Sequence, residues 1–239
     1  MSVCEFATKR ILKEFISFKK DPLETNGIYV HWDEDNINEL KACIVGPKDT
    51  PYAYGYYLFK IKLCKRYPTV PPSVFYCSPR DVRMHPNLYT QGKVCLSILN
   101  TWSGPSWSMV LTVRSVLLTI QSLLSKEALK CEPMYGPGLE SQRDKIRSYD
   151  ESIAYYNLKD SIFDVYESIV KEKKSNYGDY RVFKDVINYN LKKNYDDIRF
   201  NIQNIKTTRY TMYNNQKTTI DDKTKLLNYF NKICLEENT

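Results

Sequence analysis

The chain has 239 residues, 42% of them hydrophobic, and a formal net charge of +7 at pH 7. That apolar fraction can bury a sizeable core, and the length suits one large domain or a core with an extension. No apolar run approaches ~18 residues and no basic-then-apolar leader is present, so neither a membrane span nor a secretory signal is expected.

Phe6 to Lys20 reads as an amphipathic helix with Phe6, Ile11, Phe15 and Phe18 on one face, and Asp21-Pro22 stops it. Strand-like runs follow at Ile28 to Trp32, Leu40 to Val45 and Tyr56 to Leu63, separated by turn-rich segments. Pro68, Pro71 and Pro72 make 67–72 an extended connector before a fourth strand at Ser73 to Tyr76. Residues 77–110 have no helical or strand period, and long irregular segments in compact domains are usually functional. Val113, Val116, Leu117, Ile120, Leu123 and Leu124 then recur at helical spacing, with Thr112 as the cap.

A break at Pro133, Gly136, Pro137 and Gly138 divides the chain into a core, 1–134, and an extension, 135–239. In the extension, Ile162, Val165, Tyr166 and Ile169 mark one helix and Leu226, Leu227, Phe230 and Ile233 another. Between them lie helical hints at Phe183, Val186 and Ile187 and a loop-like stretch over 207–219.

Seven cysteines, odd in number and without paired C-x-x-C spacing, argue against zinc and a disulfide framework. They suit a reducing cytosol or nucleus. The basic surplus is spread out, so nucleic-acid binding is not expected. Cys4, Cys43, Cys64, Cys77 and Cys234 read as small inert hydrophobes.

Cys95 is different. Asn87 stands eight residues before it, with a turn from Tyr89 to Gly92 between. A thiol that exchanges acyl groups needs a donor aimed at the developing oxyanion, and an Asn amide can be that donor. The alternative for Asn87 is a plain turn residue, since Asn-containing loops are common. An ordinary thiol, with pKa about 8.5, is a few per cent thiolate at neutral pH, enough to attack a thioester without a paired base. His31 and His85 are the two histidines, and His31, beside Trp32 in a strand, has no catalytic context.

The ordered set TKRILKEF, YPTVPP, His85-Pro86-Asn87, Cys95 and Trp107-Ser108, followed by the 111–124 helix, resembles the ubiquitin-conjugating enzymes over roughly residues 6–134. KVCLSILNTWSGPSWS and Glu132-Pro133 are similar to the larger, Z-type members, and 148–169 resembles the start of their extension. The resemblance implies an α/β (α+β) fold: a four-stranded antiparallel meander flanked by helices, plus a helical C-terminal extension. Cys95 would accept ubiquitin or a related modifier from an activating enzyme and pass it to a substrate lysine, alone or with a ligase, without metal or other cofactor. The alternative, a non-catalytic scaffold on the same fold, would lack the cysteine.

By the same resemblance, the His85 ring and Pro86 brace the loop, and Asn87 is an oxyanion donor or a brace that positions the donor's site. Glu132 would position and desolvate the acceptor amine; otherwise it is a solvated loop charge. Lys9, Arg10 and Lys13 would face the activating enzyme, and Pro68, Thr69, Trp107 and Ser108 a ligase. Three positions depart from the family pattern. Ser97 stands where many relatives have Asp, Thr69 replaces a large apolar anchor, and Met109 replaces a proline.

Overall fold

The computed structural model describes residues 3–77, 82–135, 142–172, 177–205, 209–211, 217–219 and 223–235. Helix α1 (Val3–Lys20) buries Ala7, Ile11, Glu14 and Phe18. Phe6, expected on that face, is 45% exposed. At 3.6 residues per turn, the five-residue step to Ile11 rotates Phe6 by about 140°, off the buried stripe.

The strands β1 (Ile28–Trp32), β2 (Glu39–Val45), β3 (Tyr56–Lys62) and β4 (Ser73–Cys77) form one antiparallel sheet in sequential order. Register is fixed by pairs such as Ile28 with Ile44, Cys43 with Leu58 and Ile61 with Val74. Side chains alternate between faces along a strand. Ile28, Leu40, Ala42, Ile44, Tyr57, Phe59, Ile61 and Tyr76 share a core with α1 and with α2 (Val113–Leu123). Thr112 and Ser115 close a capping box at the start of α2, each side chain accepting from the other's backbone amide (3.2 and 3.3 Å).

The opposite face carries a second core. Cys43, Tyr56 and Leu58, with Tyr29 and Val45 partly buried, pack against Ile162, Tyr166, Ile169, Phe183, Ile187, Ile198 and Phe230 of the extension. Both faces of β3 are therefore covered, and Tyr56, Tyr57, Leu58 and Phe59 are consecutively buried.

In the extension, α3 (Arg143–Tyr156) continues through a π-helical run, Asn157–Asp164, into α4 (Val165–Ile169). The helix expected around 162–169 is thus the end of a longer rod. Asn157 pins the rod to the sheet, donating to the Ala53 carbonyl (2.8 Å) and accepting from the Tyr57 hydroxyl (2.7 Å). Ile146, Tyr149 and Ile153 of α3 join the first core. Helices α5 (Lys184–Lys193), α6 (Tyr195–Asn204) and α7 (Lys223–Leu235) complete the layer.

The stretch expected as loop over 207–219 contains a short hairpin, Arg209–Thr211 paired with Lys217–Thr219. β-branched threonines favour that geometry. The remainder of the stretch lies outside the described residues, as do Gly136, Pro137 and Gly138 of the expected break. Among the described residues, no helix is long and apolar enough to cross a membrane.

Candidate active site

The segment after β4 is held by its own backbone. Tyr89 N–H donates to the Lys93 carbonyl and Gly92 N–H to the Tyr89 carbonyl (both 2.9 Å), which closes the expected turn. Gly92 has φ +89°, and a Cβ there would lie 2.0 Å from the Phe75 ring, so only glycine fits. The turn sets Asn87 opposite Cys95. Cys95 N–H donates to the Asn87 carbonyl (2.9 Å), and Asn87 Nδ2 donates back to the Cys95 carbonyl (2.8 Å). An amide nitrogen carries two hydrogens, and the Cys95 carbonyl takes one of them.

His85 is fully buried, and its Nδ1 accepts from the Asn87 N–H (2.9 Å). That bond assigns the proton to Nε2, which faces the Leu123 carbonyl without good hydrogen-bond geometry. Burial pushes the imidazole pKa down to about 3, so the ring is neutral at physiological pH and a poor proton acceptor. Pro86 is buried, and its carbonyl accepts from the Arg83 guanidinium.

Cys95 is 1% exposed. Asn87 holds it on one side and Thr101 on the other. The Thr101 hydroxyl accepts from Leu96 N–H (2.9 Å) and lies 2.7 Å from the Val94 carbonyl and 3.1 Å from the Leu96 carbonyl. Leu96 to Leu99 makes a tight turn, and Asn100 ends it in the left-handed region (φ 58°). Asn100 Oδ1 accepts from Trp107 N–H (2.9 Å), closing the segment between the cysteine and Trp-Ser into a loop. Gly104 folds back onto Ser97, where a Cβ would approach Ser97 Cβ to 3.0 Å.

Glu132 lies at the other side of the loop. Its side chain is 17% exposed, and its carboxylate is 3.6 Å from the Arg83 guanidinium, which also sits 3.7 Å over the Tyr89 ring. Arg83 thus stands between Glu132 and the Pro86 carbonyl. Helix α3 anchors this region: Tyr149 and Tyr52 both donate to the Met84 carbonyl (3.4 and 3.1 Å), and Asp150 accepts from Glu127 N–H (2.8 Å). Burial pushes the Asp150 carboxyl up to about 6.

The two expected interface groups differ in outcome. Lys9 and Lys13 are exposed, Lys9 paired with Glu5 at 2.9 Å. Arg10 turns inward to Glu14 (2.6 Å) and the Leu111 carbonyl (2.8 Å), so only part of it shares their surface. Pro68 and Trp107 meet, Trp107 Nε1 donating to the Pro68 carbonyl at 2.7 Å, while Thr69 and Ser108 are exposed beside them.

Of the cysteines read as inert, Cys43 is buried, and burial drives its pKa far up. Cys77 is half-buried against the Tyr180 hydroxyl (2.8 Å). Cys64 is exposed, contrary to expectation, because it follows β3 in the turn leading to Tyr67. The side chains of Cys4 and Cys234 lie outside those described. His31 is exposed on the edge strand β1. Among the described residues, no group of three or more His, Cys, Asp or Glu could hold a metal ion.

Sequence reasoning missed Glu14 and Thr101. Glu14 offered a signal, as a carboxylate three residues after Ile11 on the apolar stripe, since a charge there must be paired. Thr101 offered none beyond its closeness to Cys95.

A meander of four strands, a capped helix and a His-Pro-Asn turn fastened to a cysteine define the class. The chain belongs to the ubiquitin-conjugating enzyme family, whose profile matches residues 10–156. It is 37% identical over 165 residues to ubiquitin-conjugating enzyme E2 Z of Danio rerio, covering 67% of this chain and 48% of that protein. It is 37% identical over 162 residues to the Homo sapiens E2 Z, covering 66% and 44%. A probable ubiquitin-conjugating enzyme of Caenorhabditis elegans is 40% identical over 159 residues, covering 63% and 21%. The chain therefore spans about half the length, or less, of the curated relatives it matches. A solved Toxoplasma gondii ubiquitin-conjugating enzyme E2 domain is 31% identical, covering 49% of this chain and 73% of that one, with a TM-score of 0.41.

Proposed function

We propose that Cys95 accepts ubiquitin, or a closely related modifier, from an activating enzyme and transfers it to a substrate lysine. The Cys95 thiolate attacks the thioester carbonyl at the modifier's C-terminus, and the activating enzyme's thiolate leaves. In discharge, a deprotonated lysine amine attacks the new thioester, an isopeptide bond forms, the Cys95 thiolate leaves and the amine's proton passes to solvent. Thioester exchange is close to isoenergetic, and the ATP is spent by the activating enzyme.

The reciprocal pair of bonds between Asn87 and Cys95 carries this reading. It holds an amide beside the peptide unit of the nucleophile, where its second N–H can meet the oxyanion of the tetrahedral intermediate. His85, buried and neutral, keeps the loop in shape and moves no proton. Glu132 orients and desolvates the incoming amine, with Arg83 setting the position of its carboxylate. Lys9 and Lys13 meet the activating enzyme, while Arg10 acts from within α1. Pro68, Thr69, Trp107 and Ser108 meet a ligase. The site of action is the cytoplasm or nucleus.

The extension shares a core with the sheet, which favours its being part of the enzyme over a separate recruitment module. The test is incubation with ATP and a panel of activating enzymes and modifiers, read on non-reducing gels. A reductant-sensitive adduct on the wild type, converted to a reductant-resistant one in Cys95→Ser, is the expected result. Adduct formation unchanged by that substitution rejects the reading.

A further inference from the structure

The peptide groups flanking Cys95 are fastened by two side chains, and only one of them, Asn87, belongs to the His-Pro-Asn turn. The other is Thr101. Its hydroxyl accepts from Leu96 N–H and donates to the Val94 carbonyl, with the Leu96 carbonyl also within 3.1 Å. Its backbone N–H reaches the Leu96 carbonyl as well (3.2 Å). The chain thus enters and leaves Cys95 through two peptide units that one hydroxyl grips, while Asn87 holds the other polar group of each, accepting from Cys95 N–H (2.9 Å) and donating to the Cys95 carbonyl (2.8 Å). Thr101 is itself exposed and adds nothing to either core. A side chain that turns its polar group inward to three backbone atoms, from an exposed position, is holding local geometry.

We propose that Thr101 is a positioning residue for the transfer reaction, its hydroxyl fixing the backbone on both sides of Cys95 so that the sulfur keeps its attack geometry. Nucleophilic attack depends steeply on alignment, and displacements of about 1 Å can cost on the order of 10²-fold in rate. Its hydroxyl is engaged by backbone atoms on both sides of Cys95, so it acts through Cys95. The inference rests on Cys95 being the acceptor.

The experiment compares Thr101→Val, which keeps the shape and removes the hydroxyl, with Thr101→Ser, which keeps the hydroxyl and removes the methyl. Each is assayed for charging by the activating enzyme over a range of concentrations, for single-turnover discharge to free lysine, and for melting temperature. The valine variant is expected to fold, to keep the half-saturating concentration of activating enzyme, and to lose on the order of tenfold in the rate of both steps. The serine variant is expected to restore both rates to within about twofold of wild type.

Wild-type rates in the valine variant overturn the assignment, as does a serine variant as slow as valine. A raised half-saturating concentration at unchanged maximal rate places the effect in binding and also overturns it. A valine variant that fails to fold puts the hydroxyl in the service of the whole fold and overturns the assignment too. A wild-type protein that forms no adduct with any modifier sinks the parent reading instead, so the two failures are distinguishable.

Discussion

Glu14, buried in the middle of α1, caps the first turn of α2 by accepting the Val113 N–H at 2.9 Å. Its other oxygen accepts from the Tyr67 hydroxyl (2.5 Å) and from Arg10 Nε (2.6 Å). One carboxylate therefore joins two helices and the proline-rich connector, next to the Pro68–Trp107 bond. Removing it leaves buried donors unpaired, which costs more than the bonds themselves contribute. Glu14→Ala is expected to lower stability by about 3 kcal/mol and Glu14→Gln by less, in urea unfolding at pH 7. A loss under about 0.5 kcal/mol for the alanine variant, the range of ordinary surface changes, would dismiss the hub.

Asn87→Ala should still load modifier on Cys95, since thioester exchange needs little activation. Discharge to lysine should fall on the order of 10²-fold, the usual cost of losing an oxyanion donor. Single-turnover discharge at the wild-type rate would reject the role.

Glu132→Ala tests the acidic group beside Arg83. An amine with a pKa near 10.4 is almost wholly protonated at pH 7, so a carboxylate that positions and desolvates it matters most there. The expected result is a loss on the order of tenfold at pH 7 that narrows by pH 9. A discharge rate unchanged across that range would remove Glu132 from the mechanism.

Buried His85 and half-buried Asp150 give stability a pH dependence of opposite sign. The folded state holds His85 at about 3 through desolvation, against about 6.5 when unfolded. Its contribution is fully present above pH 6.5 and is lost as pH falls towards 3, on the order of 5 kcal/mol in all. Asp150 is raised by desolvation from 3.8 to about 6. Its contribution is full below 3.8 and lost as pH rises through 6. His85→Gln should flatten the acid limb of a stability–pH curve, and Asp150→Asn should raise stability at pH 7 relative to pH 4. Parallel curves for wild type and either variant would refute the corresponding assignment.

Ending the chain at residue 134 strips the second core from the sheet and takes Ile146, Tyr149 and Ile153 from the first. The shortened protein is expected to be insoluble or to bind a hydrophobic dye strongly, and to lose charging. A soluble truncation that charges like the full chain would make the extension dispensable.

The elements carried by periodicity were readable from the residues. The spacing of Val113, Val116, Leu117 and Ile120 and the Thr112 cap placed α2, and alternation and turn residues placed β1 to β4 to within a residue at each end. Helix α5 was only hinted at and α6 was not read at all, because each buries just two apolar residues four apart, Ile187 with Leu191 and Ile198 with Ile202. At the site, the opposition of Asn87 and Cys95 was legible from a short turn between them. The Glu14–Val113 bond was not, since its partners stand 99 residues apart and a lone carboxylate has no period to betray it. The inward turn of Arg10 follows from Glu14, four residues further along the same helix.

The run Tyr56-Tyr57-Leu58-Phe59 held more than was read from it. Four consecutive buried residues in β3 mean that one neighbour points into each core. Leu58 and Phe59 adjoin along the chain yet occupy separate compartments, Leu58 among the extension's helices and Phe59 beneath α1 and α2. Fluorinated or otherwise labelled at these two positions, the protein would carry adjacent reporters that witness different halves of the molecule.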